Sequence, residues 1–136
     1  MLIDFTNIED YIPQRTPFIM IERCLMENEE FFEGFYTISS DNPLVDDGVP
    51  SHSILIEFFA QTCASGFGYV TRDQDVEPGF IGAISKLSVY KDLKVGDKLH
   101  SKVYVRNKFE NIQLISGEVY IGSDLIMDCS MKIVEP

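Results

Sequence analysis

A chain of 136 residues with 45% apolar residues and a net charge of −11 is sized for one globular domain and is too apolar to stay disordered. Its acidity argues against a nucleic-acid partner, and no apolar run is long and uncharged enough to span a bilayer. The three cysteines, Cys24, Cys63 and Cys129, are odd in number and far apart; they suit a reducing cytoplasm and fit neither a disulfide framework nor a metal motif.

The opening residues, MLIDFTNIEDYIPQR, have neither the basic start nor the apolar core of a secretion signal. Asn7 to Ile12 reads as a short helical turn capped by Thr6 or Asn7 and ended by Pro13. Pro17 to Leu25 reads as a strand, Met26 to Glu30 as a polar turn, and Phe31 to Ile38 as a returning strand. Asp41 to Pro50 is a loop rich in turn formers. Ser53 to Val70, SILIEFFAQTCASGFGYV, predicts one long helix with Ser51 or Ser53 as its cap. Arg72 to Gly79 is a polar loop. Strands follow over Phe80–Tyr90, Leu99–Asn107, Ile112–Ile121 and Leu125–Val134, with turns at Val95-Gly96-Asp97 and Gly122-Ser123. One buried helix and a mostly antiparallel sheet make an α+β domain.

The helix is apolar on nearly every side, as buried helices are. Against that background stand one acid, Glu57, and one amide, Gln61, four residues apart and therefore on one face. A carboxylate there is costly unless it is paired or put to use. Charge is also uneven. Lys86 to Lys108 holds seven basic residues and two acids. Such a strip suits either an anionic partner or, as the plainer reading, a solvated strand face with edge-protecting lysines.

Three blocks of the chain resemble the 3-hydroxyacyl-[acyl-carrier-protein] dehydratases of the FabA/FabZ type. YIPQRTPFIMIER is similar to that family's LPHRxPFLLVDR, matching at Pro13, Arg15, Pro17, Phe18 and Arg23. ILIEFFAQ is similar to its central-helix ExxAQ block, here Glu57, Ala60 and Gln61. GAISKLSVYKDLKVGDKL is similar to the strand block that ends in PGDxL, here Gly96, Asp97 and Leu99. The resemblance implies a hotdog fold over residues 1–136, a mostly antiparallel sheet wrapped around one long central helix. It also implies a homodimer or higher homo-oligomer, no cofactor, and acyl-carrier protein as the partner that delivers a pantetheine-linked acyl chain to a tunnel at the dimer interface. The family's catalytic histidine lies in a GHFPG-like loop. Its spacing from Glu57 falls on Pro43 here, so the loop reads as shortened. In that respect the chain resembles the divergent dehydratase-like proteins of aryl polyene gene clusters.

Dehydration needs a base for the C2 proton, an acid for the departing hydroxyl, and a donor for the enolate-like oxygen. Glu57 among Ile54, Phe58 and Phe59 suits the acid. A helix N-terminus opposes positive charge, which suits His52 to the base. The two do not share a helix face, so convergence requires His52 on the loop or Glu57 from another subunit. Backbone N–H groups near Ser53 and Ile54 suit the thioester carbonyl, and Gln61 suits a residue that orients Glu57 or bonds the opposite subunit. His100 reads as a surface residue, and Arg15 and Arg23 as structural. Two alternatives stay open: a hotdog thioesterase, and a non-catalytic acyl-binding or partner subunit.

Overall fold

The computed structural model describes residues 2–75 and 79–135. The strands are β1 (Ile3–Phe5), β2 (Arg23–Asn28), β3 (Phe31–Thr37), β4 (Val45–Asp46), β5 (Val49–Pro50), β6 (Phe80–Val89), β7 (Lys98–Phe109), β8 (Ile112–Ile121) and β9 (Asp124–Val134). One helix, α1 (Ser53–Val70), follows β5. Seven strands form one sheet in the order β1-β2-β3-β7-β8-β9-β6, with every neighbouring pair antiparallel. The sheet curls about the helix, which packs on β2, β3, β7 and β8. This is the expected α+β arrangement, with α1 at its expected bounds.

Alternation explains the layering. Phe32, Gly34 and Tyr36 on β3, and Leu99, Ser101, Val103 and Val105 on β7, turn inward while their neighbours turn out. Ile54, Leu55, Phe58 and Phe59 meet them from the helix and are fully buried. Burial of each phenylalanine contributes roughly 1.5–3 kcal/mol. Small residues set the close approach. A Cβ at Gly34 would lie 2.2 Å from Thr62 Oγ1, and one at Gly66 would lie 2.5 Å from the Phe32 ring. At Gly68 a Cβ would meet the Tyr11 carbonyl oxygen at 2.1 Å, so this glycine seats the N-terminal segment on the helix.

Several local expectations need correction. The N-terminal helical turn is a single 3-10 turn over Ile8–Asp10, and Ile3–Phe5, unremarked in the sequence, pairs with β2. The expected strand from Pro17 begins only at Arg23 and runs to Asn28, because the backbone of Phe18 and Met20 bonds to the Gln61 side chain instead of to a strand. The Asp41–Pro50 loop contains the β4–β5 hairpin, turned by Asp47 and Gly48 with φ of 51° and 76°, the pair of left-handed residues that such a turn requires. His52, not Ser51 or Ser53, occupies the helix N-cap. Of the polar loop before β6, Pro78 lies outside the described residues.

Several residues of the basic strip are paired locally. Lys102 stands in register with Glu33 on one side and Glu118 on the other. Arg106 lies over the Tyr104 ring and donates to Ser116 Oγ, and Lys91 pairs with Asp124 at 3.0 Å. The arrangement is the solvated-face reading. On the same outer face His100 stacks on Phe35 and bonds Glu33 at 2.8 Å. Arg23 pairs with Asp4 through two hydrogen bonds, which hold the Asp4 carboxyl below its usual range.

Candidate active site

A groove of about 670 Å³ runs along the flank of α1. Its helix wall is Glu57, Ala60, Cys63, Ala64 and Phe67; the Tyr11–Arg15 segment forms a second wall, and Ile81, Ile133 and Glu135 a third. Glu57 is half-buried and opens onto this groove, whereas Ile54, Phe58 and Phe59 turn to the sheet. The expectation that Glu57 is buried among those three is corrected accordingly: successive helical residues point about a quarter-turn apart, and the acid takes the groove side.

Gln61 is the best-fixed polar group of the site. It is 1% exposed. Its Oε1 accepts the Met20 N–H at 2.6 Å, and its Nε2 donates to the Phe18 carbonyl at 2.9 Å and to Glu57 Oε2 at 3.3 Å. A backbone N–H can only donate and a carbonyl can only accept, so these partners settle which way the amide points. Glu57 and Gln61 are thus brought together, one helical turn apart, as their spacing requires.

His52 stands elsewhere. It is not among the groove residues, and its Nε2 lies 3.0 Å from Asp92 Oδ1 in an exposed pair. Ser53 lies one turn before Glu57 on the same helix face. Its N–H donates to Ser51 Oγ at 3.1 Å, a hydroxyl that can rotate away. The Ile54 N–H is given to the Ser51 carbonyl at 3.1 Å, and the Ile54 side chain is fully buried. Neither of the two expected carbonyl donors is among the groove residues. Arg15 lines the groove too, and its Nη1 donates to the Ile12 and Gln14 carbonyls.

Part of the helix face that bears Glu57 is left uncovered by the described residues. Ile56, Ala60, Ala64 and Phe67 are only partly buried, and Ile84 and Leu87 on the edge strand β6 are 39% and 40% exposed. Sequence inspection found the acid and the amide but none of the other groove carboxylates, Glu9, Asp10 or, on the strand side, Glu135. For Glu135 the only signal was position, near the end of an alternating strand. Among the described residues no three potential ligand side chains gather to hold a metal ion, and no helix is long and apolar enough to cross a membrane.

Comparison with known proteins shows the family and the fold. Residues 6–136 match the family described as ApeP-like, ApeP dehydratase. The 3-hydroxyacyl-[acyl-carrier-protein] dehydratase FabZ of Wolinella succinogenes is 24% identical, with 97% of this chain and 95% of that protein aligned. FabZ of Shewanella woodyi is 26% identical over 97% of this chain and 90% of its own length. Among solved structures, the dehydratase heterocomplex ApeI:P from Xenorhabdus doucetiae superposes with a TM-score of 0.86 at 17% identity, covering 95% of this chain and 90% of that one. A hypothetical thioesterase with coenzyme A from Streptococcus pneumoniae superposes with a TM-score of 0.63 at 10% identity, covering 82% of each chain. These likenesses show the hotdog fold.

Proposed function

We infer that this chain, which belongs to the ApeP-like dehydratase family, removes water from 3-hydroxyacyl thioesters carried on acyl-carrier protein. The observation that carries the reading is Glu57, a half-buried carboxylate held by Gln61 beside the apolar stretch of the groove formed by Ala60, Ala64, Phe67, Ile81 and Ile133. In this reading Glu57 exchanges a proton with the substrate, and Gln61 keeps its carboxylate aimed.

A second subunit completes the site. The uncovered part of α1 and the exposed apolar residues of β6 suit a partner that packs helix on helix and edge on edge. The described residues of the groove include acids but no histidine, so the complementary base comes across that interface. This chain's own candidate is His52 of a second copy. Its Nε2 lies 3.0 Å from Asp92 Oδ1, a contact that orients the ring. A subunit of different sequence, as in the ApeI:P heterocomplex, is the other source.

The test is Glu57→Gln in the assembled protein with a 3-hydroxyacyl thioester. Turnover should fall by about 10²–10⁴ with the fold intact, and the wild-type product should be an enoyl thioester. Release of free thiol would instead favour hydrolysis, and unchanged turnover would remove Glu57 from the chemistry.

A further inference from the structure

The groove changes character along the helix. Its middle is apolar: Ala60, Ala64 and Phe67 from α1 face Ile81 and Ile133 from the sheet. Beyond Phe67 it turns polar, with Thr71, Arg72 and Gln74 past the helix end, Glu9 and Asp10 from the N-terminal segment and Glu135 from the strand side. The apolar stretch is therefore bounded at both ends, by Glu57 and by this polar set.

Glu135 is held in place on three counts. Its N–H donates to the Asn111 carbonyl at 2.8 Å, Asn111 Nδ2 donates back to the Glu135 carbonyl at 3.0 Å, and Gln113 Nε2 donates to its Oε1. Gln113 is 7% exposed and occupies an inward position of β8, in line with Ile115, Gly117 and Val119. Its own Oε1 has no partner among the described residues. A buried amide left half-satisfied is costly, and here its one bond fixes a carboxylate on the groove wall. Lys108, the cross-strand partner of Gln113, lies over the Phe67 ring with 5.6 Å to the centroid. That contact puts the polar end at the level of Phe67, about 15 Å along the helix axis from Glu57 at the usual rise per residue.

We propose that Glu135, braced by Gln113, sets the acyl-chain length this site accepts. The inference rests on the reading that the acyl chain occupies the groove. A chain that ends before Phe67 lies along the apolar side chains of the helix and strand walls. A longer one drives its terminal methyl onto the Glu135 carboxylate and strips water from it, an unfavourable exchange.

The test uses amide analogues of 3-hydroxyacyl pantetheine, which bind without turnover, with hexanoyl, decanoyl and tetradecanoyl chains. Binding to the assembled protein is measured by calorimetry. Wild type should gain affinity from hexanoyl to decanoyl and lose about tenfold at tetradecanoyl. Glu135→Leu should abolish that loss. Glu135→Gln, which keeps the size and the Gln113 contact, should relieve it in part and serves if the leucine variant fails to fold. Affinity that keeps rising to tetradecanoyl in wild type, or a loss that persists in both variants, overturns the proposal while leaving the acyl groove intact. Failure of every analogue to bind overturns the acyl reading and this inference with it.

Discussion

Gln61 Nε2 lies 3.3 Å from Glu57 Oε2, and the same amide holds the Phe18 carbonyl and the Met20 N–H. One side chain therefore ties the acid of the site to the segment that crosses over the helix. Gln61→Met keeps the volume but leaves a donor and an acceptor of that segment unpaired, at a cost of about 1–3 kcal/mol. Denaturant unfolding should show that loss. Gln61→Glu should lower turnover as well, because it presents an oxygen where Glu57 now meets an N–H. If Gln61→Glu turns over like wild type, the amide has no part in positioning Glu57.

Gly66 packs directly against a core ring. A Cβ there would sit 2.5 Å from the Phe32 ring carbons, and Phe32 is fully buried. In an exposed helix Gly→Ala is stabilising, but here the overpacking decides the sign. Gly66→Ala should destabilise by about 1–3 kcal/mol. A rise in the unfolding midpoint would show that the helix can slide off β3 at little cost.

The outline of the fold was legible because its signals are local and periodic. Ser53–Val70 announced itself by length and apolar content, and Ile112–Ile121 by alternation and the Gly122 turn. Pro17–Leu25 misled for the opposite reason. Its apolar run looks like a strand, yet Phe18 and Met20 spend their backbone groups on Gln61, forty-odd residues later in the chain, a contact that no local pattern encodes. The site divided in the same way. Glu57 and Gln61 follow from helix spacing alone. The separation of His52 from the groove and the arrival of Glu135 in it depend on how distant strands are laid side by side.

The three cysteines are buried free thiols. Burial pushes the Cys24 and Cys129 thiols up from 9.0 to about 12, and Cys63 well above its ordinary value. The unfolded chain then releases its thiol protons first as pH rises, so it binds fewer protons than the native state and stability falls with pH. The contribution is complete below about pH 9 and is lost as pH climbs toward 12, at a limiting slope of about 1.4 kcal/mol per pH unit for each thiol. Denaturation midpoints taken across that range should fall in wild type. Cys24→Ala should be less stable at neutral pH but should fall less steeply. An equal slope in the variant would mean that Cys24 does not stay protonated in the native state.

His52 and Asp92 form an exposed pair, with side chains 48% and 97% accessible. Surface pairs of this kind contribute about 0–1 kcal/mol, so His52→Ala should leave the unfolding midpoint almost unchanged, and any large effect on turnover reports chemistry. If His52 of one copy serves Glu57 of another, His52→Ala and Glu57→Gln should each be inactive alone, and mixing the two after reversible dissociation should restore part of the activity, since one of the two sites in a mixed dimer is then intact. Asp92→Asn should act in the same direction but more weakly, because it weakens the contact that orients the ring without removing the imidazole. Full activity of His52→Ala would place the base on a subunit of different sequence, and this chain would then supply the acid, the amide and the groove to a site shared with it.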